Sequence, residues 1–503
     1  MTAVTPTPDP PTRYRIEPTV MQALRSPRLL TREVLAGLVV ALALIPEAIA
    51  FSIIAGVDPR VGLFSSFVMA VAIAFVGGRP AMITAATGAI ALVVAPVARE
   101  YGMDYLIVTV LLGGILQIVL AALGVAKLMR FIPRSVMVGF VNALAILIFM
   151  SQMPQLVDVP FIVYPMVLVG LVIIVLLPRL TKVVPAPLVS IVLVTLAAVA
   201  FGLTMPTVGD QGELPESLPE LFIPNVPLTF ETLSIVAPFA LGVALVGLIE
   251  SLLTAKLVDD ITDTHSPKTR EAWGQGVANV LSGAFGGMGG CAMIGQTMIN
   301  VKVSGARTRI STFLAGVFLL ILVVALGDIV AIIPMAALVA VMIMVSVATF
   351  DWHSIRPSTL KRMPWSETSV MLVTVIATVW THNLAIGVAL GVVTAMVLFA
   401  RRVAHFTSVT RTVDGDTAHY AVEGELFFAS SNDLTTQFDY AADPDRVVID
   451  MSRSHIWDAS TVAALDAITT KYAQREKTVV IEGMNAATQD FHGRLTGNLG
   501  SGE

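Results

Sequence analysis

The sequence predicts an all-α polytopic membrane domain of fourteen spans, arranged as a seven-plus-seven inverted repeat, followed by a small cytoplasmic α/β domain. Three observations carry this: an apolar composition, basic residues that alternate between loops, and a change of character near residue 408. Of 503 residues, 55% are hydrophobic and 13% charged, with a mean hydropathy of +0.82. That is too apolar for a soluble protein and too long for one span.

The N-terminal 30 residues are Pro-rich and basic with no apolar core, so they read as a cytoplasmic tail and not a cleaved signal peptide. Basic residues then fall in every second loop, the positive-inside pattern. The inside set runs from Arg13, Arg15, Arg25, Arg28 and Arg32 through Lys127, Arg130 and Arg134, then Arg179 and Lys182, then Lys256, Lys268 and Arg270. It continues with Lys302, Arg307 and Arg309, then Arg356, Lys361 and Arg362, and closes at Arg401 and Arg402. The loop 206–234 has Asp210, Glu213, Glu216, Glu220 and Glu231 without one Lys or Arg, so it is expected to face outward.

A spanning helix needs about 20 apolar residues. Spans are placed near 35–56, 60–77, 82–98, 105–126, 133–151, 161–178, 187–205, 235–256, 272–289, 291–303, 309–326, 328–349, 367–381 and 384–400. An even number leaves both termini inside. Arg79 and Arg99 break the alternation and are assigned to the edges of an unusual third span.

The halves, about 31–220 and 221–403, correspond: Leu44-Ile45-Pro46-Glu47-Ala48 matches Leu248-Ile249-Glu250-Ser251. Each is followed by a glycine-rich second span and a short third one. Seven spans per half turn the second copy over, and short Gly-interrupted segments at equivalent places point to a midplane site in such repeats. The segments here are 82–98 and 291–303, so the site is expected between spans three and ten. If both are half-helices, their N-terminal ends leave backbone N–H groups unpaired and carry about half a positive charge each. Such ends bind anions. The residues there are Ile83, Thr84, Ala85, Ala86, Thr87 and Gly88 in one half, and Ala292, Met293, Ile294, Gly295 and Gln296 in the other. Small residues let a ligand approach the backbone, and Thr84, Thr87 and Gln296 offer side-chain hydrogen bonds. Thr and Gly equally permit close helix packing in lipid.

Glu47 and Glu250 lie inside apolar stretches long enough to cross a bilayer. A charge at the bilayer centre costs about 2.5 to 3.5 kcal/mol on insertion scales, so an intramembrane carboxylate reads as part of a substrate or ion pathway. No Lys or Arg lies within the spans except at their borders. An anion beside two carboxylates is repelled unless H⁺ or Na⁺ binds with it, which favours coupled symport. The alternative is a structural pairing of these acids with groups such as Ser251. Asp259, Asp260 and Asp263 with Thr262 and Thr264 offer hard oxygen ligands for a cation; a solvated loop with a helix cap is the plainer reading.

The single cysteine, Cys291, excludes an internal disulfide framework and reads as a small packing residue. From about residue 408 the pattern turns soluble: strands over Ala418–Phe428, Arg446–Met451 and Thr478–Glu482, and an amphipathic helix over Ser460–Tyr472. No phosphate-binding G-x-x-x-x-G-K-[ST] loop occurs, so ATP hydrolysis is not expected, and no enzymatic set of nucleophile, base and orienter lies in the spans.

From about residue 31 the chain resembles the SulP sulfate-permease family of anion transporters. The resemblance rests on Leu-Ile-Pro-Glu-Ala-Ile-Ala-Phe in span one, Pro59-Arg60-Val61-Gly62-Leu63-Phe64, Gly-Leu-Ile-Glu-Ser at 247–251 and Gly-Ala-Arg-Thr-Arg at 305–309. The tail, 408–503, resembles a STAS domain. The resemblance implies core and gate domains, an anion site between spans three and ten, elevator-like motion and homodimers; the expected location is the inner membrane of a bacterium, with both termini cytoplasmic. Val-Asp-Asp-Ile-Thr-Asp-Thr and the stretch from Gly289 to Lys302 look most like the Na⁺-dependent bicarbonate branch. That likeness associates sodium with Asp260 and Thr264. It is also similar to STAS domains of signalling proteins in placing Ser460 where a phosphorylatable serine follows Asp458-Ala459, although Asp458 equally suits an ordinary helix N-cap.

The expected function is secondary transport of a small inorganic or organic anion, bicarbonate foremost, coupled to Na⁺ or H⁺, with the bilayer as surroundings and no nucleic-acid partner. Sulfate or a dicarboxylate is the alternative within that class. A membrane-anchored STAS signalling protein is the alternative outside it.

Overall fold

The structure is a computed structural model that describes residues 17–127, 132–180, 186–227, 229–404 and 407–497. Arg13, Arg15, Arg130 and Lys182 of the basic pattern lie outside them. The chain divides into two compact units, 1–392 and 393–503.

The first unit is built from helices. A short α1 (Val20–Arg25) leads into α2 (Pro27–Ala55) and α3 (Pro59–Val76), then α4 (Gly88–Tyr101), α5 (Met103–Ala122), α6 (Arg134–Gln152), α7 (Val163–Leu180) and α8 (Ala186–Ala200). The later set is α9 (Phe230–Thr262), α10 (Lys268–Ala284), α11 (Ile294–Met298), α12 (Arg309–Ala325), α13 (Gly327–Ala331), α14 (Met335–Thr349), α15 (Pro357–Arg362), α16 (Trp365–Thr381) and α17 (Leu384–Ala404), the last of which runs on into the second unit. Among the described residues, seven helices are long and apolar enough to cross a membrane, and the 15- to 17-residue helices α8, α12 and α14 are apolar but shorter. Packing relies on small residues. A Cβ on Gly276 would lie 2.6 Å from the Gly114 carbonyl oxygen, and one on Gly114 would lie 2.7 Å from that of Gly276, so α5 and α10 touch backbone to backbone.

Three expected spans are not continuous helices. Span three begins as an extended stretch with strand β1 (Thr84–Ala85) before α4. Span ten begins as β2 (Cys291–Ala292), then α11 and a π-helical turn over Ile299–Val303. Span twelve, expected over 328–349, is broken between α13 and α14. Pro334 has no N–H to continue a helix, and the chain instead makes an isolated β-bridge to Thr207, with Val208 N donating to Ile333 O (2.9 Å) and Met335 N to Pro206 O (2.9 Å).

The second unit is a four-stranded sheet in the order β3 (Ser408–Asp414), β4 (Thr417–Leu426), β5 (Arg446–Ile456), β6 (Thr478–Glu482); β3 pairs antiparallel with β4, and the other neighbours are parallel. Helices α18 (Phe428–Leu434), α19 (Ala459–Ala473) and α20 (Ala486–Leu495) complete it. Alternation along β4 and β5 buries Ala418, Tyr420, Val422, Val447, Ile449 and Met451 with Leu465 and Tyr472 of α19 in one core. The edge strand β3 was not expected, because its sequence is polar and six of its seven residues are exposed. Residues Phe427–Phe428, read as strand, instead turn the chain into α18.

Candidate functional site

The two interrupted segments meet. β1 pairs antiparallel with β2, Thr84 opposite Ala292 and Ala85 opposite Cys291, and Met293 N donates to Ile83 O at 2.8 Å. A strand of two residues leaves most of its neighbours' backbone groups unpaired, and buried polar backbone must find partners inside protein. Side chains supply them: Ser251 Oγ accepts from Ala292 N (3.1 Å), Thr297 Oγ1 from Ile83 N (3.0 Å) and Ser66 Oγ from Ala86 N (3.2 Å). Asn279 Oδ1 accepts from Gly290 N (2.9 Å), while Gln275 Nε2 and Asn279 Nδ2 donate to Gly290 O at 2.9 and 3.1 Å. Gly290 permits the approach, since a Cβ there would stand 1.9 Å from the Ala85 carbonyl oxygen.

Just past the crossing, α4 starts at Gly88 and α11 at Ile294. Thr87 is the N-cap of α4; its Oγ1 accepts from Ile90 N (3.4 Å) and lies 3.0 Å from Cys291 Sγ. Thr84 Oγ1 is buried with no hydrogen-bond partner. Ala85, Ala292 and Met293 are buried, whereas Gly295 is exposed and a Cβ there would meet nothing within 4 Å. Open space therefore adjoins the start of α11.

Both glutamates address this one segment. Glu47 Oε1, on α2, accepts from Gln296 Nε2 at 2.6 Å, and Glu250 Oε2, on α9, accepts from Cys291 Sγ at 2.8 Å. Gln296, expected to face a ligand, spends an amide proton on Glu47. Cys291, read as packing, is the partner of Glu250. Its place next to Ala292 was the signal that could have found it. Ser251 serves the β2 backbone and not Glu250. Asn279, Gln275, Ser66 and Thr297, which hold the crossing, were missed because hydroxyl and amide residues on a helix give no sign of which strand they will meet.

The expected cation pair does not come together. Asp260 is exposed and pairs with Lys256 across one helical turn (3.8 Å). Thr264 is buried, its Oγ1 accepting from Arg79 Nη1 (2.7 Å) and lying 2.6 Å from Thr262 Oγ1. Successive helical residues point about 100° apart, so Asp259 turns inward where Asp260 turns out. Asp259 accepts from Arg79 Nη1 (3.1 Å) and Lys268 Nζ (2.5 Å), and Arg79 Nη2 reaches Thr262 Oγ1 (3.1 Å) and Glu17. A guanidinium thus takes the oxygens expected to hold an ion. Arg79, assigned to a span edge, is buried. Among the described residues no three His, Cys, Asp or Glu side chains are placed to hold a metal.

Long apolar helices with two interrupted segments that meet as paired strands are the build of a multi-pass membrane protein. Residues 30–166 and 159–374 match the sulfate permease family, and 408–494 match the STAS domain. The chain belongs to the sulfate permease family. It is 50% identical to "Putative sulfate transporter YbaR" of Bacillus subtilis over 92% of this chain and 96% of that protein. It is 26% identical to the bicarbonate transporter BicA of Picosynechococcus over 91% and 89% of the two chains. Among solved structures, the transmembrane domain of a cyanobacterial BicA is 25% identical, covering 74% of this chain and 98% of that one, with TM-score 0.63. Murine Slc26a9, an anion transporter in its inward-facing state, is 16% identical, covering 96% and 88%, and its TM-score of 0.80 shows the shared fold.

Proposed function

We propose that the protein is a secondary transporter of a small anion, bicarbonate foremost, that binds at the β1–β2 crossing and moves together with H⁺. The observation that carries the reading is the convergence of Glu47 and Glu250 on residues 291–296, beside the open space at Gly295. Among the described residues no Lys or Arg hydrogen bonds to residues 83–88 or 291–296, so the starts of α4 and α11 are the positive groups at hand. Two ends of about half a charge each match a monoanion. Thr84 Oγ1, buried and unpartnered, is the hydroxyl free to join it.

Proton coupling follows from the acids. An ionised Glu47 or Glu250 repels an anion at the crossing, and a proton on each removes its share of that repulsion. Na⁺ is the less favoured ion, because the Asp260–Thr264 set is apart and Arg79 occupies the neighbouring oxygens. Sulfate is the second reading, favoured by the name of the relative that is 50% identical; a dianion at two half-charges needs further neutralisation, so both acids would carry protons. The correspondence of α2 with α9 and of β1 with β2 supports an inverted repeat with core and gate parts. Homodimers, an elevator-like stroke, cytoplasmic termini and the inner membrane belong to the same proposal.

Uptake of labelled bicarbonate, sulfate and fumarate into proteoliposomes, under an imposed pH or Na⁺ gradient, tests it. Bicarbonate accumulation driven by the pH gradient alone is expected. Accumulation only with Na⁺, or of none of the three, overturns it.

A further inference from the structure

The first turns of α2 form a site of a different kind. A groove of about 370 Å³ is lined by Arg28, Thr31, Arg32, Leu35, Ala36 and Val39 of α2, with Ser304 opposite. Arg28, Arg32, Leu35 and Val39 follow the four-, three-, four-residue spacing of a single helix face. That face is cationic at one end and apolar at the other. It spans twelve residues, about 16 Å of helix, with the apolar turn from Leu35 to Val39 leading on toward the membrane-spanning part of α2.

The positive end is not neutralised from within. Among the described residues neither Arg28 nor Arg32 forms an ion pair, and Arg32 Nε is buried with no hydrogen-bond partner. The nearest acid in sequence, Glu33, turns to the other side, where it accepts from Arg307 N (2.7 Å) and Thr308 N (3.2 Å). Arg32 lies within electrostatic reach of a second guanidinium: burial, and next Arg32 itself, hold Arg307 below its ordinary value, with Glu17 and Glu33 acting the other way. On α2 itself Leu35 is 56% exposed, so the apolar half of the face is open to its surroundings.

We infer that this groove holds an acidic phospholipid, with its phosphate at Arg28, Thr31 and Arg32 and an acyl chain along Leu35 and Val39. Charge complementarity chooses the headgroup, since basic residues at a membrane surface attract anionic lipids. The apolar upper half distinguishes a lipid from a free anion, which has nothing to place there.

The test uses the full-length protein in phosphatidylcholine nanodiscs titrated with phosphatidylglycerol, with retained lipid counted by native mass spectrometry. Basic residues near an acidic surface contribute about fivefold each, so Arg28→Gln with Arg32→Gln lowers phosphatidylglycerol affinity about thirty-fold. Arg28→Lys with Arg32→Lys keeps most of it. Unfolding midpoints in pure phosphatidylcholine, measured for every variant, separate a lost site from a lost fold, and Leu35→Gln, which keeps both arginines, gives a second reading of the groove. Equal retention of the two lipids, or an unchanged glutamine pair, overturns the inference. Full displacement by millimolar inorganic phosphate would instead make it a free-anion site. Binding seen only after removal of residues 1–16 would make that segment the occupant.

Discussion

Gly290→Ala tests the crossing on which the functional reading stands. The added Cβ would lie 1.9 Å from the Ala85 carbonyl oxygen, and Cβ atoms essentially never come within 3.0 Å of a neighbour, so the two segments must part by at least about 1 Å. Bonds of 2.8 to 3.1 Å here, Met293 N to Ile83 O and those binding Gly290 to Asn279 and Gln275, cannot all survive such a shift. Two or three lost bonds at about 1 kcal/mol each, in a buried place with no slack, amount to about 3 kcal/mol, the upper part of the range for overpacking. The assay is thermal unfolding in detergent, with anion uptake by the same preparation. Gly295→Ala is the matched comparison. Its Cβ meets nothing within 4 Å, so stability should stay within about 0.5 kcal/mol while the methyl group narrows the space at the start of α11 and raises the KM for the anion. Wild-type stability and uptake in Gly290→Ala would refute the paired-strand geometry.

Glu250→Gln keeps an oxygen to accept the Cys291 thiol but cannot carry a proton across the reaction cycle; uptake driven by a pH gradient should fall at least tenfold with the unfolding midpoint little changed, and retained coupling would remove Glu250 from the mechanism. Arg79→Lys replaces a fork serving Asp259, Thr264, Thr262 and Glu17 with one ammonium; about 3 kcal/mol should be lost, as when a buried ion pair is broken, measurable as a lower denaturation midpoint. In the second unit, Tyr472 is fully buried and its hydroxyl donates to Asp443 Oδ2 at 2.5 Å. Burial, then Asp443, raises its pKa above the ordinary value near 10. The folded state therefore holds this proton where the unfolded chain releases it, so the stabilisation is complete below about pH 10 and is lost as pH rises beyond. Tyr472→Phe should cost about 2 kcal/mol at neutral pH and flatten the alkaline limb of the unfolding curve.

The apolar character of the membrane domain, the change near residue 408 and the two interrupted segments were all legible in the chain, because bilayer thickness and backbone hydrogen bonding act on local composition. The short Gly-interrupted segments 82–98 and 291–303 marked where continuous helix fails. The strand β3 and the break at Pro334 were harder to see, since a polar edge strand and a single proline inside an apolar run lack the periodicity that separates helix from strand.

The residue types of the site could be read in order along the sequence, but their pairing could not. Gln296 and Thr87 looked like ligand groups in isolation; Glu47 and the cap of α4 claim them, across 249 and three positions of sequence. Asp259 and Asp260 are adjacent and chemically identical, and only the rotation of α9 sends one to Arg79 and the other to solvent. By itself the sequence determined the solvent in which this chain folds and the places where its helices end. The tertiary structure decided which donor each acid meets, because a hydrogen bond depends on distances near 3 Å between segments from tens of residues to about 250 apart, and no local pattern encodes those.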